Sequence, residues 1–192
     1  MPLEIIGRLG ATNHVLAIDS QGRAQVASAS ESEDRHINQT SGNVWSLNYE
    51  ALLINANVYG LYIKNIGPTN QHITDLRNHA IDAATEVRMD LVTGVVAGGT
   101  PVTDIQTRNP GSSAADPVIT IEYATAATGL TGLTKANTIF NCGSLDNKTS
   151  HLKTSSNIIL GPSQAIAILF KTANAINGIT GTISLVEITH ES

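Results

Sequence analysis

The chain has little charge, few aromatic rings and almost no sulfur, and each shortage removes a class of function. Only 14 % of its 192 residues are Asp, Glu, Lys or Arg, where an average soluble domain carries about a quarter. No basic block occurs and the formal net charge is −5. Gripping a phosphate backbone needs clustered Lys and Arg, so direct nucleic-acid binding is not expected. The lone cysteine, Cys142, excludes an internal disulfide framework and a Cys-based metal knuckle. No window holds the roughly 18 apolar residues needed to span a membrane. The first residues, MPLEIIGRLGATNH, lack the charged start and apolar run of a signal peptide. Aromatics make up 4 %, with one Trp and two Phe, which leaves few rings for stacking on sugars.

What is present favours strands. Hydrophobic residues are 41 % of the chain, enough for one domain with a core and an additional arm. Thr, Ser, Asn, Ala and Gly fill the rest, and a Thr- and Ile-rich chain poor in Lys and Glu prefers sheets to long helices.

Residues 13–28, NHVLAIDSQGRAQVAS, read as a hairpin, with Asp19-Ser20-Gln21-Gly22 as a type I turn and bulge. The polar stretch 28–43, SASESEDRHINQTSGN, has no apolar period and reads as a loop or an arm. From about residue 44 the chain alternates in short runs. Val58, Leu61 and Ile63 form one face against Tyr62 and Lys64. Ile73 and, after a shift, Leu76 point inward. Val87, Met89 and Leu91 oppose Arg88 and Asp90, and Ile119, Ile121 and Tyr123 share a face. IIL (158–160), AIAILFKTAN (165–174) and ITGTISLVEIT (179–189) close the chain. The pattern predicts about eight strands after residue 44, a short helix around 76–85, and a Gly/Thr/Asn-rich connection over 127–138. The fold class expected is all-β: a jelly-roll-like β-sandwich with an N-terminal hairpin and extended arm. Residues 1–50 hold too few apolar positions for a core of their own and are assigned to a partner-anchoring hairpin and arm. Residues 51–192 form the body.

The candidate motifs carry no chemistry. In GVVAGGTPVTDIQTRNPGSSAADP (94–117), Gly94, Gly98 and Gly99 are followed by Thr100 and Pro101, with no Lys to reach a phosphate. Pro101, Pro110 and Gly111 forbid the helix that a dinucleotide loop requires, so the glycines are expected to supply turns. The six histidines, His14, His36, His72, His79, His151 and His190, are scattered; His72 and His79 are the nearest pair. The acidic cluster Glu31, Glu33, Asp34 and His36 lacks the alternating ligands and central Gly of a calcium loop. Ser112 and Ser113 sit in a Gly-rich stretch without a nucleophile elbow, and Cys142 reads as a small buried residue. N-x-T triplets at Asn38 and Asn147 occur at the frequency that this composition gives by chance. Trp45 is placed to pin the arm to the body or to a neighbour. No catalytic, cofactor-binding or metal-ligating residue is assigned, and the chain is not expected to be an enzyme; a hydrolase with a non-local site, tested at Ser112, is the minority reading.

The phrases IDSQGRAQV, SESEDRHINQTSGNVWSL, GLYIKNIG and LGPSQAIAILFKTANA…GTISLVEI resemble small structural proteins of tailed bacteriophages. Head decoration (cement) proteins and related minor virion proteins place a short hairpin and linker before a jelly-roll-like body and are usually homotrimeric. The resemblance implies a capsid decoration protein that trimerises, binds the major capsid protein and stabilises the head shell. It also implies a location on the capsid surface of a virion assembled in a bacterial cytoplasm, with no cofactor, nucleic acid or membrane. A carbohydrate-binding, receptor-binding module of a head fibre or tail fibre is the alternative, resting on the Asn/Thr-rich stretches 127–138 and 141–156. The segment AIAILFKT, apolar on both sides, needs cover on both faces from a second sheet or another subunit.

Overall fold

A computed structural model of the chain describes residues 6–9, 12–15, 17–18, 24–25, 43–53, 57–80, 85–111, 117–125, 128–145, 151–154, 158–172 and 177–188. Two compact units result, Met1–Glu33 and Asp34–Ser192.

The first unit contains two hairpins. β1 (Ile6–Leu9) pairs antiparallel with β2 (Thr12–Val15), with Leu9 opposite Thr12. β3 (Ala17–Ile18) pairs with β4 (Ala24–Gln25), with Ile18 opposite Ala24. The expected turn Asp19–Gly22 lies between these two strands and outside the described residues, as do the arm 28–42 and its acidic cluster.

The second unit is a β-sandwich of two antiparallel sheets packed against each other. One sheet runs, edge to edge, through β10 (Ile105–Thr107), β5 (Val44–Leu53), β16 (Asn177–Ile188), β7 (Asn70–Ala80) and β13 (His151–Thr154). β14 (Ile158–Leu160) pairs with β7 beyond the end of β13. The other sheet runs through β12 (Thr131–Leu145), β8 (Thr85–Ala97), β15 (Ala165–Thr172), β6 (Asn57–Asn65), β11 (Ile119–Ala124) and β9 (Gly99–Pro101). Alternation sets the core. Trp45, Leu47, Ile73, Leu76 and Ile183 are buried from the first sheet, and Leu61, Ile63, Met89, Ile166, Ile168 and Phe170 from the second. Each such large side chain withdrawn from water stabilises the fold by roughly 1.5–3 kcal/mol.

Several expectations change. The helix foreseen around 76–85 is absent: Asn70–Ala80 is one strand, and Thr85 already begins the next. Isolated periodicity there is broken by a register shift between Ser184 and Leu185 on β16. The shift lets both Ile73 and Leu76 face inward despite their odd spacing, which mimics a helical period. The connection foreseen over 127–138 is also mostly strand, because β12 starts at Thr131. Its apolar period is erased by four register shifts against β8 and by exposure on both faces. The boundary expected after residue 50 falls inside β5, whose Val44, Trp45, Leu47 and Tyr49 are core. Trp45 therefore fills the sandwich interior, and the described residues after 43 form twelve strands rather than eight.

Both faces of AIAI, the first half of AIAILFKT, are covered by this chain. Ala165, Ile166, Ala167 and Ile168 are all buried. Ile166 and Ile168 face the first sheet; Ala165 and Ala167 face away, in register with Val92 and Asp90 on one side and Lys64 and Tyr62 on the other. The cover follows from connectivity. After Ala97 a single residue, Gly98, leads into β9, which lies four strands from β8 in the sheet order. Four strand spacings are roughly 19 Å, and the five residues 93–97 span roughly 17 Å. The end of β8 therefore crosses the outer face of its own sheet, carrying the start of β12 with it as a two-stranded ribbon. Val96 and Leu133, on this ribbon, pack against the hydrophobic cluster that includes Tyr62, Val92, Ala165 and Ala167. Two glycines fold the ribbon over: Gly94 has φ 103° and Gly132 φ 77°. A Cβ at either would lie 2.3 or 2.1 Å from a carbonyl oxygen of the opposing strand.

Candidate functional site

The most chemically loaded place in the described residues is on the face under this ribbon. Asp90 is fully buried there. Its register partner on β15 is Ala167, whose short side chain lets Tyr59 reach across from β6; its partner on β12 is Thr138. The Tyr59 hydroxyl donates to Oδ2 at 2.9 Å and the Thr138 hydroxyl to Oδ1 at 2.9 Å. Arg88, two residues earlier on the same face, donates from Nε at 3.0 Å to both oxygens and from Nη2 at 2.7 Å to Oδ2. Lys135 Nζ stands 4.0 Å from Oδ1. Burial alone would raise the Asp90 carboxyl, but the hydrogen bonds from Arg88, Tyr59 and Thr138 outweigh it and hold the group below the ordinary aspartate value. Burial and then the Asp90 contact push the Tyr59 phenol up, and the bond to Asp90 raises Arg88.

Arg88 Nε and Nη2 and the two hydroxyls occupy the roughly four lone-pair positions of a carboxylate. A general base must meet a substrate proton; this carboxylate is saturated by its own fold. It acts as a strut joining β6, β8 and β12. The neighbouring pair is different. Burial raises the Glu122 carboxyl; the Tyr62 phenol, its cross-strand partner, is raised by burial and then by the Glu122 charge. A Cβ on Gly99 would sit 2.4 Å from Glu122 Oε2, so the carboxyl lies directly over that glycine.

A second polar set lies inside the sandwich. Tyr49 donates to Asn78 Oδ1 across Gly181, which occupies the strand between them in register. Burial pushes the Tyr49 phenol far up. Trp45 Nε1, Asn78 Nδ2 and both amide atoms of Gln71 are buried without a partner among the described residues. Asn65, by contrast, is fully used. Its Nδ2 donates to the carbonyls of Thr69 and Leu160 at 2.7 and 2.8 Å, and its Oδ1 accepts from Gly67 N at 2.9 Å.

The sequence candidates scatter across this frame. Gly94 and Gly98 do adopt positive φ, whereas Gly99 serves by lacking a side chain beneath Glu122. Ser112, Ser113, His36, His190, Asn38, Asn147 and the acidic cluster lie outside the described residues. Cys142 is on β12 and His14 on β2. His72 and His79, the nearest pair in sequence, stand seven positions apart along β7. His79 is instead the direct cross-strand partner of His151 on β13. Sequence reasoning missed the Asp90 strut and this histidine pairing, since both depend on partners far away along the chain. Among the described residues no group of three or more His, Cys, Asp or Glu is placed to hold a metal ion, and no helix is long and apolar enough to cross a membrane. Comparison with models of known protein families gives no match, and neither does comparison with curated proteins.

Proposed function

We propose that the chain is a structural virion protein, a capsid decoration protein whose sandwich trimerises and whose N-terminal unit contacts the major capsid protein. The observation that carries this reading is the edge strand β12. It runs for 15 residues, and from Thr131 to Asn141 its described side chains are exposed with the sole exception of Leu133. A long edge with unpaired backbone groups is a template for another strand; around a threefold axis that strand comes from a different edge of the neighbouring copy, because an edge paired with itself closes as a dimer. The opposite edge, β9, has three residues and ends in Pro101, which cannot donate to a ladder. The exposed side chains of β12, such as Thr134, Asn137 and Thr138, are small and neutral apart from Lys135, so a copy can approach without charge repulsion. The split of the chain into the compact units Met1–Glu33 and Asp34–Ser192 supports a division of labour between shell contact and self-association. Many modest contacts repeated by symmetry then stabilise a shell by mass action.

Light scattering on the purified chain tests this. A mass three times the 20.2 kDa of the chain, with labelled protein decorating intact particles, is the expected result. A single-chain mass together with no retention on particles overturns the reading. The carbohydrate-binding alternative rests on the stretches 127–138 and 141–156; with Thr131–Leu145 and His151–Thr154 both in edge strands, most of those residues belong to sheet edges.

A further inference from the structure

We propose that Arg88 and Lys135 form a site for one oxyanion, a carboxylate or a phosphate, on the outer face of the second sheet beside the edge strand β12. A charge count comes first. Both cations converge on the single carboxylate of Asp90: Arg88 Nε stands 3.0 Å and Lys135 Nζ 4.0 Å from the same oxygen, Oδ1. Two cations share one anion, so one positive charge is left over. Glu86, two residues before Arg88 on the same face of β8, does not cancel it, because Lys171 holds that carboxylate at 3.2 Å.

The geometry is prepared for a ligand. Asp90 takes up Nε and one N–H of Nη2, which fixes the plane of the Arg88 guanidinium and leaves three of its five N–H groups. The Tyr59 hydroxyl lies against the guanidinium as well. A planar guanidinium matches the paired oxygens of a carboxylate or phosphate, and a lysine ammonium adds a mobile point charge. Both side chains can be reached from solvent: Arg88 is 33 % and Lys135 44 % exposed, over an Asp90 that has no exposure. Asn141 is the register partner of Arg88 on β12 and is exposed, so it brings an amide donor to the rim. The ligand's oxygens can come from two sources. The chain carries 16 acidic against 11 basic residues, so a second copy alongside β12 brings carboxylates in excess; a free phosphate offers the same chemistry. The site stands apart from the virion reading, since a free anion fills it in a lone chain.

The experiment is titration of the full, isotope-labelled chain with inorganic phosphate and with acetate near neutral pH, at an ionic strength held constant with chloride. The Arg88 Nε–H resonance is followed, and light scattering gives the mass of the same samples. A saturable shift with a dissociation constant of about a millimolar is expected, the strength of a few charge-assisted contacts. Lys135→Ala should weaken it by about tenfold or more, because a hydrogen bond to a charged group is lost. Lys135→Arg should keep it, and Lys64→Ala, on β6, should leave it unchanged. If a neighbouring copy supplies the carboxylate, Lys135→Ala also lowers the mass, and added phosphate lowers that of the wild type; if the anion is a free one, the mass stays the same in both. Should Lys135→Ala not fold, Asn141→Asp, which sets a carboxylate opposite Arg88, should abolish the shift. No saturable shift with either anion at tens of millimolar, together with a mass indifferent to Lys135→Ala, overturns the proposal, as does a shift that survives both Lys135→Ala and Asn141→Asp.

Discussion

Removing the Asp90 carboxylate should be the most damaging single polar change in the sandwich. In Asp90→Ala the Tyr59 and Thr138 hydroxyls lose their acceptor, and Arg88 loses three contacts made at 2.7 to 3.0 Å. Leaving a partly buried hydroxyl unpaired costs about 1–3 kcal/mol. Breaking a wholly buried ion pair costs about 3–5 kcal/mol, but the Arg88 side chain is 33 % exposed and regains water, so its share is discounted. The sum is about 3 kcal/mol. For a chain of this length about 2–4 °C is lost per kcal/mol, so the melting temperature should fall by about 6–12 °C. Asp90→Asn keeps one acceptor oxygen but loses the charge opposite Arg88, and should cost about half as much. A double-mutant cycle with Arg88→Ala, read by urea unfolding, should give a coupling of about 1 kcal/mol or more. The depressed carboxyl also sets a pH signature. Because its folded value lies below the unfolded one, its contribution is present above about pH 4 and disappears as the pH falls through the folded value. The penalty of Asp90→Ala should therefore shrink in acid. A loss below about 0.5 kcal/mol at pH 7, or one that does not change with pH, would refute the strut.

Three further outcomes can be measured. Glu122 has a folded value raised by burial, so the native state holds its proton longer than the unfolded chain and stability falls as the pH rises through that window; Glu122→Gln should melt higher than wild type at pH 7, and the gain should vanish below about pH 4. Gly94→Ala and Gly132→Ala each place a Cβ against an opposing carbonyl at a positive φ, where strain alone costs about 1–2 kcal/mol. Either should unseat the ribbon and increase binding of a hydrophobic dye before the main unfolding transition. Trp45 is the one tryptophan and is buried, so native emission should be blue-shifted and should move red in a single step on unfolding of the sandwich.

What the sequence disclosed and what it hid divide along the range of the interactions. Period-two alternation is local, and it placed Leu61, Ile63, Val87, Met89, Ile119 and Ile121 on buried faces. It also separated Asp90 from Met89. It could not say that the Asp90 side is covered, because the cover comes from the chain's own ribbon and depends on a crossing over several strands. Gly94 reads as a turn former and Gly132 falls in a stretch that reads as a connection, but only their pairing across β8 and β12 reveals a fold in a ribbon. The edge of the sheet escaped for the opposite reason: β12 is exposed on both faces, so it has no alternation to detect. The same limit governs His79 and His151, whose relation exists solely in the ladder.

That the ribbon covers Ala165 and Ala167 changes the argument for self-association. An apolar strand open on one side would itself call for a partner subunit; here the demand is met within the chain, and the sheet face is closed. What remains open is the backbone edge at β12. If copies associate through the sandwich, the contact should therefore depend on main-chain pairing along Thr131–Leu145 more than on burial of a hydrophobic face. Thr134→Pro and Asn137→Pro, which remove one donor each from that strand, discriminate between the two. Edge pairing should weaken with each proline and tolerate polar substitution of the exposed Val95, whereas association through an apolar face would show the reverse.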